Sequence, residues 1–166
     1  MKIIFLDIDN VLNSDVYTES ELYKQATAGM SDAKIMLVAH HLHLDPDALA
    51  LLNDLVLRSG AEVVLSSTWR AKYSPEEVTE MMKGRGGNFT ITASTPRLER
   101  RAHEYFSRGQ EIAAYLNKLK EKPEAFVILD DRDDMEKLKN NLVLTDPKYG
   151  ITISDVDKAL KILGVK

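Results

Sequence analysis

Three apolar stretches of this chain each end abruptly at carboxyl or hydroxyl side chains, and this pattern restricts the fold more than any other feature. The three segments are Phe5-Leu6-Asp7-Ile8-Asp9, Val64-Leu65-Ser66-Ser67 and Val127-Ile128-Leu129-Asp130-Asp131. Parallel strands that are buried on both faces have such continuous apolar sequences. Because ligands bind beyond the carboxyl ends of the strands in open α/β sheets, we expect these polar residues to converge at one sheet edge.

Strand and helix patterns alternate along the whole chain. Strands are predicted at 2–6, 61–65, 89–93, 125–129 and 142–144, with helices starting after 45, 74, 107, 133 and 154. The predicted N-caps are Asp45, Ser74, Ser107, Asp133 and Ser154. This alternation predicts an α/β fold, a Rossmann-like three-layer α/β/α core with a central, mostly parallel sheet.

The composition indicates one soluble globular domain over 1–166. The chain has 166 residues, 44% of them hydrophobic, and a net charge of −4, so no global basic field indicates a nucleic-acid partner. It contains no cysteine, which excludes disulfides and thiolate metal sites. Neither a signal-peptide core nor an apolar stretch of membrane-spanning length is visible. We therefore expect a cytoplasmic protein with no membrane partner.

Residues 13–44 form the least regular region and follow the first strand directly. The segment is too long for an ordinary connection of about 2–6 residues, so we expect a lid or substrate-binding insert at the mouth of the site. His40, His41 and His43 lie here. Their spacing does not place three imidazoles on one helical face, so a polar edge of the lid is preferred to a zinc site.

Asp7 and Asp9 stand two residues apart at a strand end. Two close carboxylates repel unless a cation lies between them, and Mg²⁺ takes one or two carboxylates together with phosphate oxygens. One of the pair can act as a nucleophile and the other as a general acid and base. The alternative is that these acids simply end the strand and cap the next element.

Ser66 and Ser67 end the second strand, and Trp69-Arg70 follow. The serine hydroxyls and nearby backbone N–H groups can donate to a phosphate oxygen, although serine is also ordinary in turns. Arg70 is either a further phosphate contact or an exposed, salt-bridged side chain.

Arg108 opens a predicted helix, where a cation is mildly unfavourable. This departure from the usual charge preference at a helix start suggests that Arg108 neutralises phosphoryl charge. The preceding basic residues could grip a polyanion such as an oligonucleotide, or form a solvated face with Glu99 and Glu104. They are Arg97, Arg100, Arg101 and His103.

The stretch Asp130-Asp131-Arg132-Asp133-Asp134 places four carboxylates within five residues. Such a cluster is relieved most simply by a bound cation. Asp133 is interpreted as a helix cap, and Asp130 and Asp131 as cation ligands.

The polar segments, together with Arg108, resemble motifs I to IV of the haloacid dehalogenase-like (HAD) superfamily, in the order of that family. The motifs read Phe5-Leu6-Asp7-Ile8-Asp9-Asn10-Val11-Leu12, Val64-Leu65-Ser66-Ser67, Arg108 and Ile128-Leu129-Asp130-Asp131. The Leu-Ser-Ser-Thr-Trp-Arg and Arg-Gly-Gln-Glu-Ile stretches further resemble the HAD domain of multidomain RNA-repair proteins. The Asp-Asp-Arg after the last motif strand is similar to that of polynucleotide kinase-phosphatases and deoxynucleotidases.

The resemblance implies roles for these residues. Asp7 would be the nucleophile, and Asp9 the general acid and base with its backbone carbonyl on Mg²⁺. Ser66 would bind the phosphate, Arg108 would take the place of the motif III cation, and Asp131, supported by Asp130, would complete the metal site. The metal set thus comprises Asp7, Asp9, Asp130 and Asp131.

One residue departs from the family pattern. Asn10 stands where these proteins usually have glycine; because asparagine tolerates positive φ, we expect the turn to survive.

Three functions follow from this pattern. The preferred one is a Mg²⁺-dependent phosphomonoesterase for nucleic-acid 3′ phosphates or nucleotides, acting through an aspartyl-phosphate, with RNA or DNA ends as partners. The alternatives are a HAD phosphatase for a small metabolite and a non-catalytic HAD module that binds a partner. A small insert leaves the site open, which suits a polymer end.

Overall fold

The structure is a computed structural model that describes residues 1–98 and 106–165. Within these ranges, five strands form one sheet in the order β3-β2-β1-β4-β5, and all neighbouring pairs are parallel. The strands are β1 (Lys2–Leu6), β2 (Glu62–Leu65), β3 (Ile91–Ser94), β4 (Ala125–Asp130) and β5 (Leu142–Leu144). The predicted Rossmann-like α/β fold is confirmed, with a sheet that is parallel throughout its described strands.

The described residues also form α-helices and short 3₁₀ helices around the sheet. The α-helices are α1 (Asp15–Thr18), α2 (Glu21–Ala26), α3 (Asp32–Val38), α4 (Pro46–Ser59), α5 (Pro75–Lys83), α6 (Arg108–Lys118) and α7 (Ile153–Ile162). The 3₁₀ helices span His40–His43, Thr68–Ala71 and Glu136–Asn141.

Alternate side chains of the central strands face two separate helical layers. Ile4 and Leu6 pack on one side of the sheet in a large core with α4, α5 and α7. Ile3 and Phe5 pack on the other side with α6 and the buried Met135. Because successive residues of a strand point to opposite faces, one apolar run supplies both cores.

The predicted helix starts at Asp45, Ser74 and Ser107 are confirmed. Each side chain accepts a hydrogen bond from a backbone N–H in the first turn of the helix, and proline occupies the first position of α4 and of α5. Ser107 forms a reciprocal capping box with Gln110, so the N-terminus of α6, where Arg108 stands, is held in place.

The helix predicted after β4 is wrong in its type and in its cap. The segment Glu136–Asn141 is a 3₁₀ helix whose N-cap is Met135, and Asp133 does not cap it. Met135 is fully buried against α6, and the Asp134 carboxylate accepts a hydrogen bond from the Arg108 N–H at 3.2 Å. These tertiary contacts hold the segment in a conformation that leaves no room for a longer helix.

The predicted cap of the last helix is also wrong. Thr152, rather than Ser154, is the N-cap of α7, and its hydroxyl accepts from the Asp155 N–H at 3.3 Å. The Asp155 carboxylate accepts from the Thr152 N–H in return at 3.1 Å. This reciprocal pair starts the helix two residues before the position expected from Ser154.

Residues 13–44, called the insert below, are more regular than their sequence indicates. They contain α1, α2, α3 and the first 3₁₀ helix. Backbone bonds from Asp15 to Pro147 and from Val16 to Lys148, each 3.1 Å, tie the start of the insert to the loop after β5. Each of its α-helices begins with a serine cap, which explains how such a polar segment stays helical. None of the described helices is both long and apolar enough to cross a bilayer.

The packing of α6 against the loop before the last 3₁₀ helix yields a stability prediction. A Cβ added at Gly109 would lie 2.5 Å from the Met135 carbonyl oxygen, so Gly109→Ala should destabilise the protein by about 1–3 kcal/mol. At Gly84 the nearest atoms would be 3.5 Å away, so Gly84→Ala should change stability by less than ~0.5 kcal/mol. Urea unfolding of both variants tests this, and equal stabilities would contradict the close approach.

Candidate active site

The three polar strand ends meet at one edge of the sheet. β1 lies between β2 and β4, and its Leu6 pairs in register with Leu65 and Leu129. The Ser66 N–H donates to the Leu6 carbonyl, and the Asp7 N–H donates to the Leu129 carbonyl, each at 2.9 Å. These bonds extend the ladder by one residue, so Ser66, Asp7 and Asp130 leave the sheet side by side.

Arg108 reaches this edge from the first turn of α6. Its side chain is 3% exposed, with Nη2 3.5 Å from an Asp7 oxygen and Nε 3.4 Å from an Asp130 oxygen. A buried cation requires such partners. The unfavourable position of Arg108 at a helix start is therefore compensated by two carboxylates, as its placement in the sequence suggested.

Burial raises the pKa of both of these carboxyl groups. For Asp7, burial is the largest cause, and Arg108, Ser67 and the Ile8 N–H act in the opposite direction. For Asp130, burial and the nearby Asp7 charge raise the pKa to about 7, against the lowering effect of Arg108. One guanidinium does not fully offset two buried negative charges.

Three carboxylates are close enough to share a cation. Oxygens of Asp7, Asp130 and Asp131 all lie within 4.8 Å of one another. The buried Oδ2 of Asp130 accepts no hydrogen bond among the described residues, although it lies 3.4 Å from Arg108 Nε, so it retains capacity to accept. An all-oxygen, all-carboxylate set with a spare buried acceptor fits a hard divalent cation. Metals are typical of HAD proteins, and this cluster is compatible with one.

Asn10 holds the third carboxylate of this cluster. Its φ is +60°, in the left-handed region that glycine ordinarily occupies. Its side-chain Nδ2 donates to an Asp131 oxygen at 2.9 Å, a bond that glycine could not make. The turn survives, as expected, and Asn10 acts as an orienting partner that the sequence pattern did not reveal.

In the described part of the chain, several buried donors near the same edge lack acceptors, including Arg70 Nε and the Thr95 hydroxyl. The Ser66 hydroxyl and the Arg108 Nη1 have no hydrogen-bond partner among the described residues. Unsatisfied buried donors cost about 1–3 kcal/mol each, so they are rare without a reason. A ligand that only accepts hydrogen bonds, such as a phosphoryl group, would satisfy the Ser66 and Arg108 donors.

Asp9 is separated from the carboxylate cluster. Its two oxygens accept from the Trp69 indole N–H at 3.2 and 3.1 Å, and Oδ1 also accepts from the Asn13 amide at 3.1 Å. Of the four predicted metal residues, the structure therefore brings together the side chains of Asp7, Asp130 and Asp131. The Asp9 carboxylate instead turns toward the insert.

Arg70 supports the turn after β2. Its guanidinium donates to the Ser66 and Ser67 carbonyls and pairs with Glu111 of α6, and its side chain is 5% exposed. The ion pair is thus buried, not exposed as one alternative held. Contact of Arg70 with phosphate stays a prediction, because most of its donors are used within the protein.

His40 does not match the prediction of a polar edge of the insert, whereas His41 and His43 are half-buried. His40 is buried, its ring stacks on Trp69 with centroids 3.8 Å apart, and its Nδ1 is 3.1 Å from the Tyr73 hydroxyl. In the described residues, the aspartate cluster is the group of three or more histidine, aspartate or glutamate side chains that is placed to share an ion.

Other predicted residues have different outcomes. The Ser67 hydroxyl accepts from the Trp69 N–H at 3.3 Å and so starts the 3₁₀ helix. Arg97 lies within the described chain, whereas Arg100, Arg101 and His103, with Glu99 and Glu104, lie outside the described residues. The binding of a polyanion by these residues stays a prediction.

Sequence reasoning missed the groups that orient the acids. Asn13 and Trp69 hold Asp9, and Asn10 holds Asp131. The sequence contains part of this information. Asn10 and Asn13 flank the turn that follows Asp9, and Trp69 comes shortly after the turn with the two serines. No pattern of spacing links Trp69 to Asp9, which lies 60 residues away.

The raised pKa of Asp130 predicts how stability varies with pH in the absence of metal. The folded protein holds a proton on Asp130 up to about pH 7, whereas the unfolded chain releases it near the ordinary value of 3.8. Stability should therefore fall as pH rises from about 4 to 7. Asp130→Asn should remove part of this decline, measured by urea unfolding in EDTA; an identical pH dependence in the variant would contradict the assignment.

The sequence of the chain matches the model of a known family. That model, described as the HAD domain in Swiss Army Knife RNA repair proteins, covers residues 3–156. Searches of curated proteins and of solved structures found no match. The matched span includes all four strand-end and helix-start motifs, so the resemblance to this superfamily is confirmed. The chain therefore belongs to the HAD domains of the Swiss Army Knife RNA repair type.

Proposed function

We propose that this protein is a Mg²⁺-dependent phosphomonoesterase that acts through an aspartyl-phosphate on nucleic-acid 3′ phosphates or nucleotides. Membership of the family supports a HAD-type phosphatase in general. The observation that carries the proposal is the pairing of unsatisfied donors on Ser66 and Arg108 with an unsatisfied acceptor on Asp130. Donors that need an anion and carboxylates that need a cation, at one edge, suit a metal-bound phosphoryl group.

Asp7 is the nucleophile in this proposal. Its Oδ1 accepts from the Ile8 N–H at 2.9 Å, and its Oδ2 lies 3.5 Å from Arg108, so the carboxylate has a fixed orientation at the end of β1. An Asp7 oxygen attacks phosphorus while the bond from phosphorus to the ester oxygen breaks. The phosphoryl group is then carried by Asp7, and the ester oxygen leaves as an alcohol after it takes a proton.

Asp9 supplies that proton and later removes one from water. Its place outside the carboxylate cluster keeps it available, since a carboxylate bound to a cation would not transfer protons. Attack of water on the aspartyl-phosphate releases inorganic phosphate and restores Asp7, while Asp9 takes the proton of that water. One carboxylate thus serves as acid in the first step and as base in the second.

Arg108 and Ser66 bind the transferred group. Charge spreads over the phosphoryl oxygens in the transition state, and preorganised donors stabilise it there. Asp7, Asp130 and Asp131 would hold Mg²⁺, with Asn10 orienting Asp131. When bound, the cation supplies positive charge that offsets the three carboxylates and the phosphoryl oxygens.

The substrate class rests on the description of the family and on the shape of the site. The matched family is described as a domain of RNA repair proteins, which favours a nucleic-acid substrate. The described insert is small and its pocket beside Asp9 is open to solvent, which suits the end of a polymer. These features support a 3′-phosphorylated end over a metabolite that must be fully enclosed.

Phosphate release tests the reaction class. With Mg²⁺, the protein should release phosphate from p-nitrophenyl phosphate and from a 3′-phosphorylated oligoribonucleotide, and EDTA should abolish both activities. Asp7→Asn should lower turnover by roughly a thousandfold or more, because no other group can carry the phosphoryl. The exposed Asp157→Asn is the matched control and should leave turnover unchanged.

The outcomes of the phosphate-release assay distinguish the alternative functions. Turnover of metabolite phosphates but not of the oligonucleotide would favour the metabolite phosphatase. No turnover of any phosphate by folded protein with Mg²⁺ would favour the binding module and contradict the proposal.

The Trp69 hydrogen bond to Asp9 yields a second test. Trp69→Phe keeps an aromatic ring against His40 but removes the indole N–H, so Asp9 should lose its orientation. We expect kcat/KM for a nucleoside 3′-phosphate to fall by roughly tenfold to a hundredfold, since small misplacements of catalytic groups are costly. The loss for p-nitrophenyl phosphate should be smaller, because its leaving group needs little protonation. Equal losses for both substrates would contradict a role through Asp9.

A further inference from the structure

A cavity of about 240 Å³ lies between the insert and the turn after β2. It will be called the insert cavity; its wall includes Asp9, Met36, His40, Trp69, Lys72 and Tyr73. None of these residues except Asp9 has a part in handling the phosphoryl group itself. The cavity is therefore a separate feature that shares one wall with the proposed reaction centre.

The position of Asp9 decides which part of a substrate could enter this cavity. Asp9 lines the insert cavity, whereas Asp7, Ser66 and Arg108 do not line it. Because the proposed acid must stand next to the ester oxygen that it protonates, the group attached to that oxygen extends into the insert cavity. The cavity thus faces the leaving group and not the phosphate.

The walls of the insert cavity suit a flat heteroaromatic ring. The His40 ring stacks on Trp69 at an interplanar angle of 22°, and the Tyr73 hydroxyl is hydrogen-bonded to His40. This wall of the insert cavity is therefore rigid. Met36, 47% exposed, forms an adaptable edge opposite. The volume is below the roughly 300–1,000 Å³ of pockets for drug-sized ligands, so it admits about one nucleoside.

Lys72 places a positive charge at the mouth of the cavity. Its Nζ donates to the Met36 carbonyl at 2.8 Å and lies 5.0 Å from the centre of the Tyr73 ring. Burial lowers the pKa of His40 to about 4, so that imidazole adds no charge at neutral pH. Lys72 is exposed, so its ammonium group can contact an anionic group that is attached to a ring held in the cavity.

We propose that the insert cavity holds the terminal nucleoside of a 3′-phosphorylated single strand, and that Lys72 contacts the phosphodiester on its 5′ side. This inference rests on the proposed function and adds the residues that select the substrate. Stacking on aromatic side chains is tolerant of base identity, because every base presents a π face. The site should therefore require a base without preferring one strongly.

Binding can be measured directly because Trp69 is the only tryptophan of the chain. The Asp7→Asn variant, which does not turn over, is titrated with a dinucleotide that carries a 3′ phosphate while Trp69 fluorescence is recorded. A matched dinucleotide lacks the base of its terminal nucleotide. We expect a saturating fluorescence change and binding at least about tenfold tighter with the base present. Equal affinities would overturn the proposal.

Two further measurements test the insert cavity without relying on the Asp7→Asn variant or on the proposed function. Wild-type protein titrated with the dephosphorylated dinucleotide should show the same dependence on the base. Turnover of p-nitrophenyl phosphate reports the reaction class separately. Turnover of p-nitrophenyl phosphate together with dinucleotide binding that does not depend on the base would reject the insert cavity and leave the phosphatase proposal standing. No turnover of any phosphate together with binding that depends on the base would reject the phosphatase proposal alone. Failure of both measurements would reject both.

Lys72→Gln tests the contact with the phosphodiester. This variant should weaken binding of the dinucleotide several-fold but leave binding of a nucleoside 3′-phosphate, which has no phosphodiester, unchanged. The exposed Lys161→Gln of α7 is the matched control for net charge and should alter neither. An equal effect of Lys72→Gln on both ligands would show that Lys72 does not contact that group.

Discussion

The buried ion pairs of Arg108 with Asp7 and Asp130 are the interaction on which the rest of the site depends. They join the first turn of α6 to the carboxyl ends of β1 and β4. Burial raises the pKa of Asp7 and of Asp130, the charge of a neighbouring carboxylate raises it further, and Arg108 offsets this only in part. The same imbalance makes the edge receptive to a divalent cation, so the packing of the fold and the chemistry of the site share one cause.

The two acids of the first motif have different surroundings although they are two residues apart. Asp7 is buried beside Arg108, whereas Asp9 is held by Asn13 and by Trp69, which the insert covers through His40. The two side chains point in different directions because the chain turns beyond the end of β1. Asp9 therefore belongs to the wall of the insert cavity, whereas Asp7 belongs to the carboxylate cluster.

Much of this architecture could be predicted from sequence, for identifiable reasons. β1 and the starts of α4, α5 and α6 were correct because apolar runs and side-chain caps are local signals. The helix after β4 was wrong because Met135 and Asp134 are engaged by α6, a contact between distant parts of the chain. The burial of His40 and of the Arg70 ion pair was not expected for the same reason, since their partners Trp69, Tyr73 and Glu111 lie on other elements.

The sequence by itself determined the parallel sheet, the convergence of Asp7, Ser66 and Asp130 at its edge, and membership of the HAD superfamily. Apolar runs that end in polar residues carry this information, because strand direction and burial follow from local pattern. Only the tertiary structure decided that the Asp9 side chain stays outside the carboxylate cluster, and that Trp69 holds it. Side-chain direction beyond a strand end depends on which neighbours fill the surrounding space, and those neighbours come from segments that are remote in sequence.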